Sequence, residues 1–358
     1  MNFLNKLEEG YKLVGIDCAQ YFSPAHCLYF GVSGGADSIA LLYGSILLRK
    51  KYYPTGGAKF IVVTVNHNIR PPKESGNDAA FVERFSQQFT NVEFVLHCYE
   101  SGFIEKVAQK REKGIEEAAR FMRYSAFQKT IDQKGDFPFC LAHNQNDQIE
   151  TLLIRFLQGS SGRAASGIAP KRNNFIRPLL QIPRAVIEDF LQENSISFCT
   201  DLSNFDNGYL RNRMRNQLIP FINELYLGWQ KAILSGSKKQ GDDGDFLFQE
   251  AKKYFSYLEV KGEAVFIDLQ SYTSLHPAIK RRLLYKGIEL LKVEDRIPYA
   301  VLEKAIYYSG EDKKISLCNI KNIFIYVENS TLVITKNKKQ VENFSLLISC
   351  AEIGRAHV

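Results

Sequence analysis

The 358-residue sequence predicts an α/β protein: a doubly wound parallel sheet, then a helical domain and a small α+β C-terminal domain. Two observations carry the first part. Apolar, β-branched runs of strand length alternate with stretches of helical periodicity, and a pair of glycines falls between the first such strand and its helix. A third carries the end of the chain, where short alternating strands follow one another around a turn signal.

Residues 1–25 read as a short helix and a lead-in. Residues 26–32 form a buried strand, Ser33, Gly34, Gly35, Ala36, Asp37 and Ser38 a turn, and residues 39–42 the opening of an apolar helix. Strands follow at 60–65, 92–96 and 139–142, separated by helices at 77–89 and 114–131 and followed by one at 145–157. Such alternation implies a parallel sheet covered on both faces, with ligands at the carboxyl ends of the strands. A proline-led helix at 183–193 and a turn-rich linker at Asp201, Ser203, Asn204 and Asp206 come next. After Pro220 the pattern is helical, with residues 235–244, rich in Gly, Asp and Lys, read as an exposed loop. An amphipathic helix at 276–291 precedes strands at 315–317, 323–327 and 332–335, the last two joined as a hairpin. The expected domains are 1–216, 217–295 and 296–358, the last with a shortened terminus.

The turn after the first strand suits a phosphate. Gly34 and Gly35 permit a close approach, the free amides of the helix start are donors, and Ser33 and Ser38 add hydroxyls. Asp37 places a carboxylate beside those phosphates, where a divalent cation would make it welcome, so the expected ligand is a nucleotide with magnesium. No Lys follows the glycines, so this is not a Walker loop. At the ends of later strands stand His67 and His143, and on the helix after His143 the acids Asp147 and Glu150 share a face, a pocket for a cation or else a pair of first-turn helix acids. Arg120, Arg123 and Tyr124 align on another helix, either against phosphates or as a solvated face. Arg211, Arg213 and Arg215, with Lys171, Arg172 and Arg177, make the densest basic region and point to a polyanion longer than ATP.

Composition bounds the rest. The chain is 45% hydrophobic and 24% charged, with a net charge of +7 that permits an anionic partner. Its seven cysteines include no CxxC pair, against zinc and iron–sulfur sites and in keeping with a reducing cytoplasm. No run approaches a membrane span, so no membrane partner is expected. Oligomeric state is not set by the sequence, a homodimer being one option.

The string SGGADS resembles the loop of the N-type ATP pyrophosphatases, which split ATP into AMP and pyrophosphate while adenylating a carbonyl oxygen. Together with residues 66–70, residues 120–124, AHNQNDQIET from Ala142, RPLL from Arg177 and DLSNFDNGYLRNRMR from Asp201, the sequence resembles the tRNA(Ile)-lysidine synthases. That resemblance implies ATP-dependent ligation of lysine to C2 of the wobble cytidine in an isoleucine tRNA with a CAU anticodon. It implies ATP on Ser33, Gly34, Gly35, Ala36, Asp37 and Ser38, magnesium on Asp37, and catalytic roles for Asp37, Arg120 and His143. Lysine would lie on Asp147 and Glu150, and tRNA along Arg177, Arg211, Arg213 and Arg215. Asn144 and Asn146 depart from the His and Asp often found there, which counts against a catalytic role at either. Two other readings stand beside it: a tRNA thiolase of the same superfamily, with Cys140 as its thiol, and a nucleotide-binding module without chemistry.

Overall fold

The computed structural model describes residues 2–69, 72–200, 210–293, 297–311, 314–320 and 322–336. Arg70, the linker residues Asp201, Ser203, Asn204 and Asp206, and the chain end lie outside them. The chain divides into two compact units, Met1–Lys238 and Lys239–Val358, where three domains were expected.

The first unit opens with α1 (Phe3–Leu13), whose N-cap Asn2 accepts from the Asn5 amide at 3.1 Å, and α2 (Cys18–Tyr21), capped by Asp17. The succession β1 (Cys27–Gly31), α3 (Ala36–Tyr52), β2 (Lys59–Asn66), α4 (Pro72–Gln87), β3 (Val92–Cys98) follows the alternation read from the sequence. Next come α5 (Phe103–Arg111), α6 (Ile115–Lys134), β4 (Phe139–Cys140) and α7 (Gln145–Leu157), then the short hairpin β5 (Lys171–Arg172) and β6 (Phe175–Ile176), and α8 (Arg184–Glu193). The sheet runs β3-β2-β1-β4-β6-β5, parallel but for β5.

Both faces are covered because the buried positions of β1 and β2 that alternate between the two faces are apolar, Leu28 to Phe30 in β1 and Phe60 to Val63 in β2. Leu28, Phe30, Phe60 and Val62 join one core with α1, α3 and α8; Tyr29, Ile61 and Val63 join the other with Phe127 and Ile131 of α6. The strand order reverses between β1, which pairs with β2 on one side, and β4 on the other. A crevice opens at the carboxyl ends of such a switch point.

The unit closes with α9 (Leu210–Arg213), a π-helical turn (Met214–Leu218), α10 (Ile219–Leu225) and the start of α11 (Trp229–Lys252). Pro220 has no N–H for the carbonyl four residues back, and the turn before it widens. Met214 and Trp229 pack with Ile149 and Leu153 of α7, which is why residues beyond 216 belong to this unit. The loop expected at 235–244 is part of α11 instead. Its small residues fall at helical spacing, Ser237, Gly244 and Ala251 on the buried side and the Lys and Asp residues mainly outside, so the glycines here do not break the helix.

The second unit contains β7 (Glu259–Lys261), β8 (Ala264–Asp268), α12 (Leu269–Thr273), α13 (Pro277–Leu290), α14 (Tyr299–Ile306), β9 (Lys314–Ile320), β10 (Ile323–Glu328) and β11 (Thr331–Thr335). They form an antiparallel sheet β7-β8-β11-β10-β9. The hairpin expected at residues 328–330 is present, with Asn329 and Ser330 at φ 48° and 60°. Leu283, Leu284 and Leu302 share one core with Ile325 and Ile334, so helices expected in a separate domain pack on this sheet. Among the described residues no helix is long and apolar enough to cross a membrane.

Candidate active site

The turn after β1 has the geometry of an anion cradle. Gly34 sits at φ +90°, and a Cβ there would meet Cys199 Sγ at 3.3 Å. Gly35 is the N-cap of α3 with an extended backbone and no side chain over the first amides. Ser38 Oγ donates to the Gly35 carbonyl at 2.8 Å and lies 3.4 Å from Ser33 Oγ, so the two hydroxyls line the same turn.

Asp37 begins α3 and turns toward β4. Its Oδ1 accepts from Asn144 Nδ2 at 2.9 Å and its Oδ2 from Arg184 Nη1 at 2.5 Å. Loss of water raises the carboxyl's pKa above the ordinary Asp range, while Arg184 and Asn144 pull against that rise. A dehydrated carboxylate beside free helix amides fits a magnesium ion shared with phosphates, since that ion uses one or two protein carboxylates. Among the described residues no cluster of three or more His, Cys, Asp or Glu offers a metal cage.

Asn144, set aside by the sequence pattern, is therefore in the site. It is 4% exposed and caps α7, its Oδ1 accepting from the Asp147 amide while Asp147 Oδ2 accepts from the Asn144 amide, both at 3.0 Å. One amide group thus holds both a helix start and Asp37. Asn146 Oδ1 accepts from the Arg184 amide at 3.0 Å and fixes the start of α8.

His143 ends the crevice side of β4. Its Nδ1 is buried with no hydrogen-bond partner among the described residues, and its pKa falls to about 3, first through burial and then through Arg177, Arg120, Arg211 and Arg123. A neutral imidazole amid four guanidinium groups marks a site waiting for anions. Arg120 is exposed, with Nη2 3.4 Å from the Tyr124 hydroxyl, while Arg177 Nη2 reaches the same hydroxyl at 3.5 Å. Arg177 is only 6% exposed and also donates to the Ala169 carbonyl at 2.9 Å. It is a buried charge beneath the site and not the surface contact expected for a long polyanion.

Asp147 and Glu150 lie in one ion-paired cluster with two of the arginines assigned to the polyanion. Arg211 Nε donates to Glu150 Oε2 at 2.8 Å and its Nη2 to Asp147 Oδ1 at 3.2 Å; Arg215 Nε donates to Glu150 Oε1 at 2.6 Å. Arg211 and Arg215 are four apart and point the same way, as helical spacing predicts. Arg213 points elsewhere and is exposed. The segment at residues 164–168 is pinned to α7: Gln148 Oε1 accepts from the Ile168 amide at 2.6 Å and Arg155 donates to the Ala164 carbonyl at 2.7 Å.

Cys140, the thiol of the alternative thiolase reading, is fully buried. Burial pushes its pKa well up and Tyr11 Oη lies 3.7 Å from its sulfur. It is a core residue and no activated nucleophile.

Comparison with known proteins agrees with this geometry. Residues 6–222 match the family model described as a PP-loop domain. A tRNA(Ile)-lysidine synthase of Treponema denticola is 38% identical over 290 residues, 80% of this chain and 62% of that protein. One of Borreliella burgdorferi strain ZS7 is 31% identical over 335 residues, covering 91% and 71%. One of Caldanaerobacter subterraneus is 32% identical over 288 residues, covering 78% and 58%. This chain thus spans about three fifths to seven tenths of the length of these relatives.

Proposed function

This chain belongs to the tRNA(Ile)-lysidine synthase family, and we propose from that premise that it ligates lysine to C2 of the wobble cytidine of an isoleucine tRNA with a CAU anticodon, using ATP. The observation that carries this reading is the meeting of Asp37, Asn144 and Arg184 where the phosphate loop faces the strand switch point.

ATP lies with its β- and γ-phosphates over the turn from Ser33 to Ser38, held by loop amides and the two hydroxyls. Magnesium bound at Asp37 would neutralise phosphate charge. The cytidine O2 attacks the α-phosphorus as pyrophosphate leaves, and the lysine amine then adds at C2, expelling AMP with that oxygen. Arg120 opposes the charge that spreads over the phosphates. His143 offers an unprotonated Nδ1 for the proton the amine loses, and anions filling the site raise its basicity by offsetting the arginines.

Lysine is a zwitterion with a further ammonium, so it needs counter-charges of both signs. Asp147 and Glu150 with Arg211 and Arg215 supply both within one cluster. The tRNA backbone then falls to Arg213 and neighbouring basic residues, and the base must leave its stack to react.

The test is pyrophosphate release from ATP with lysine and tRNA supplied separately and together. Release that needs tRNA supports the reading. Release with neither substrate, or no release with both, contradicts it.

A further inference from the structure

Asp37 is paired with a cation in this structure, and that cation is a residue with attachments of its own. Arg184 Nη1 stands 2.5 Å from Asp37 Oδ2. Its Nε donates to Glu188 Oε1 at 2.8 Å, one helical turn on, and its backbone amide is fixed by Asn146. Those two attachments are independent of Asp37. If the carboxylate is released, the Arg184 stem stays where it is, with its terminal nitrogens still at the phosphate loop.

Charge makes the exchange directional. A bare carboxylate in the loop would repel polyphosphate, and its dehydration makes an unpaired state costly. A divalent ion arriving with the nucleotide satisfies Asp37 better than one guanidinium does. The terminal nitrogens of Arg184 then turn to the phosphates while Nε stays on Glu188, and a planar guanidinium suits such partners. The reading that magnesium binds at Asp37 underlies this step.

We propose that Arg184 is the resident counter-ion of the phosphate loop, pairing with Asp37 in the nucleotide-free protein and transferring to the polyphosphate when the metal takes the carboxylate. It is a further substrate-binding residue. Asn146 and Glu188 are the positioning residues that keep it in reach.

Two binding measurements on the full chain separate the parts. Manganese binding without nucleotide, read from the free-ion electron paramagnetic resonance signal, is expected to tighten severalfold in Arg184→Gln because a competitor for Asp37 is gone. Pyrophosphate binding with saturating magnesium, read by calorimetry, is expected to weaken about tenfold in the same variant, as the loss of one charge-assisted contact implies. Arg184→Met, which keeps the packing of the stem, carries the same test if the Gln variant misfolds. Unchanged pyrophosphate affinity overturns the proposal whatever the manganese result. Failure of the metal reading shows separately: Asp37→Asn would then leave manganese binding untouched.

Discussion

Asn144 and Asp37 lie 107 residues apart in the sequence and meet through a 2.9 Å hydrogen bond, Asn144 Nδ2 donating to Asp37 Oδ1. The bond ties the helix after β1 to the helix after β4 across the switch point. The phosphate loop and the start of α7, with Asp147, are thereby linked through one side-chain amide.

Replacing Asn144 separates its two duties. Asn144→Ala removes the cap of α7 and should lower stability by about 1 kcal/mol, with turnover reduced at least tenfold, roughly what one lost orienting contact costs. Asn144→Asp keeps the cap but sets a second negative charge against Asp37, so nucleotide affinity should fall while α7 stays capped. Urea denaturation and nucleotide titration of both variants check this; equal activity in all three proteins would contradict it.

Asp37→Ala should abolish turnover, because the metal loses its protein ligand. Steady-state assay across magnesium concentrations is the check, and activity within a few-fold of the parent would remove Asp37 from the chemistry.

The four-ion cluster predicts a substrate-selective defect. Glu150 is 1% exposed with both oxygens engaged, so Glu150→Gln strands two half-exposed guanidinium groups, a cost of about 1–3 kcal/mol after allowing for their solvation. The KM for lysine should rise at least tenfold with the KM for ATP little changed, as expected when one lysine counter-charge is removed. A rise shared equally by both substrates would mean general damage.

Arg213 is exposed and off the cluster, so Arg213→Ala should leave the melting temperature alone and weaken tRNA binding. The slope of log affinity against log salt should fall by about one, the signature of one lost phosphate contact. An unchanged slope would take Arg213 off the tRNA path.

Two half-buried histidines set an acid limit. His67, with neither ring nitrogen paired among the described residues, has its pKa lowered to about 4 by burial and Arg123, and His143 is lowered to about 3. Between those values and the ordinary 6.5 the unfolded chain binds more protons than the folded one, so these residues make stability rise with pH there and fall on acidification. Urea unfolding at pH 4.5 and 6.5 should show a shallower difference for His67→Phe, which keeps the ring stacked on Tyr99 at 6.0 Å. An identical difference would put the linkage elsewhere.

Local chemistry made much of this legible. The apolar runs of β1 and β2 and the glycines after β1 announce a buried parallel strand and its turn, and α7 begins and ends where the Asn144 cap and its apolar spacing place it. What failed depended on distance or on composition read without periodicity. Arg184 is 147 residues from Asp37, and no spacing rule joins them. Arg211 and Arg215 read as a basic patch because their acidic partners lie more than sixty residues earlier. The Gly, Asp and Lys of residues 235–244 suggested a loop until their small residues were seen on one buried helix face.

The most direct test is incorporation of labelled lysine into unmodified transcripts of the isoleucine tRNA with a CAU anticodon and of the matching methionine tRNA, with ATP and magnesium. Labelling of the isoleucine transcript alone is the predicted result, and it would show that this chain suffices for both chemistry and discrimination. No labelling of either transcript while ATP is still consumed would contradict the account.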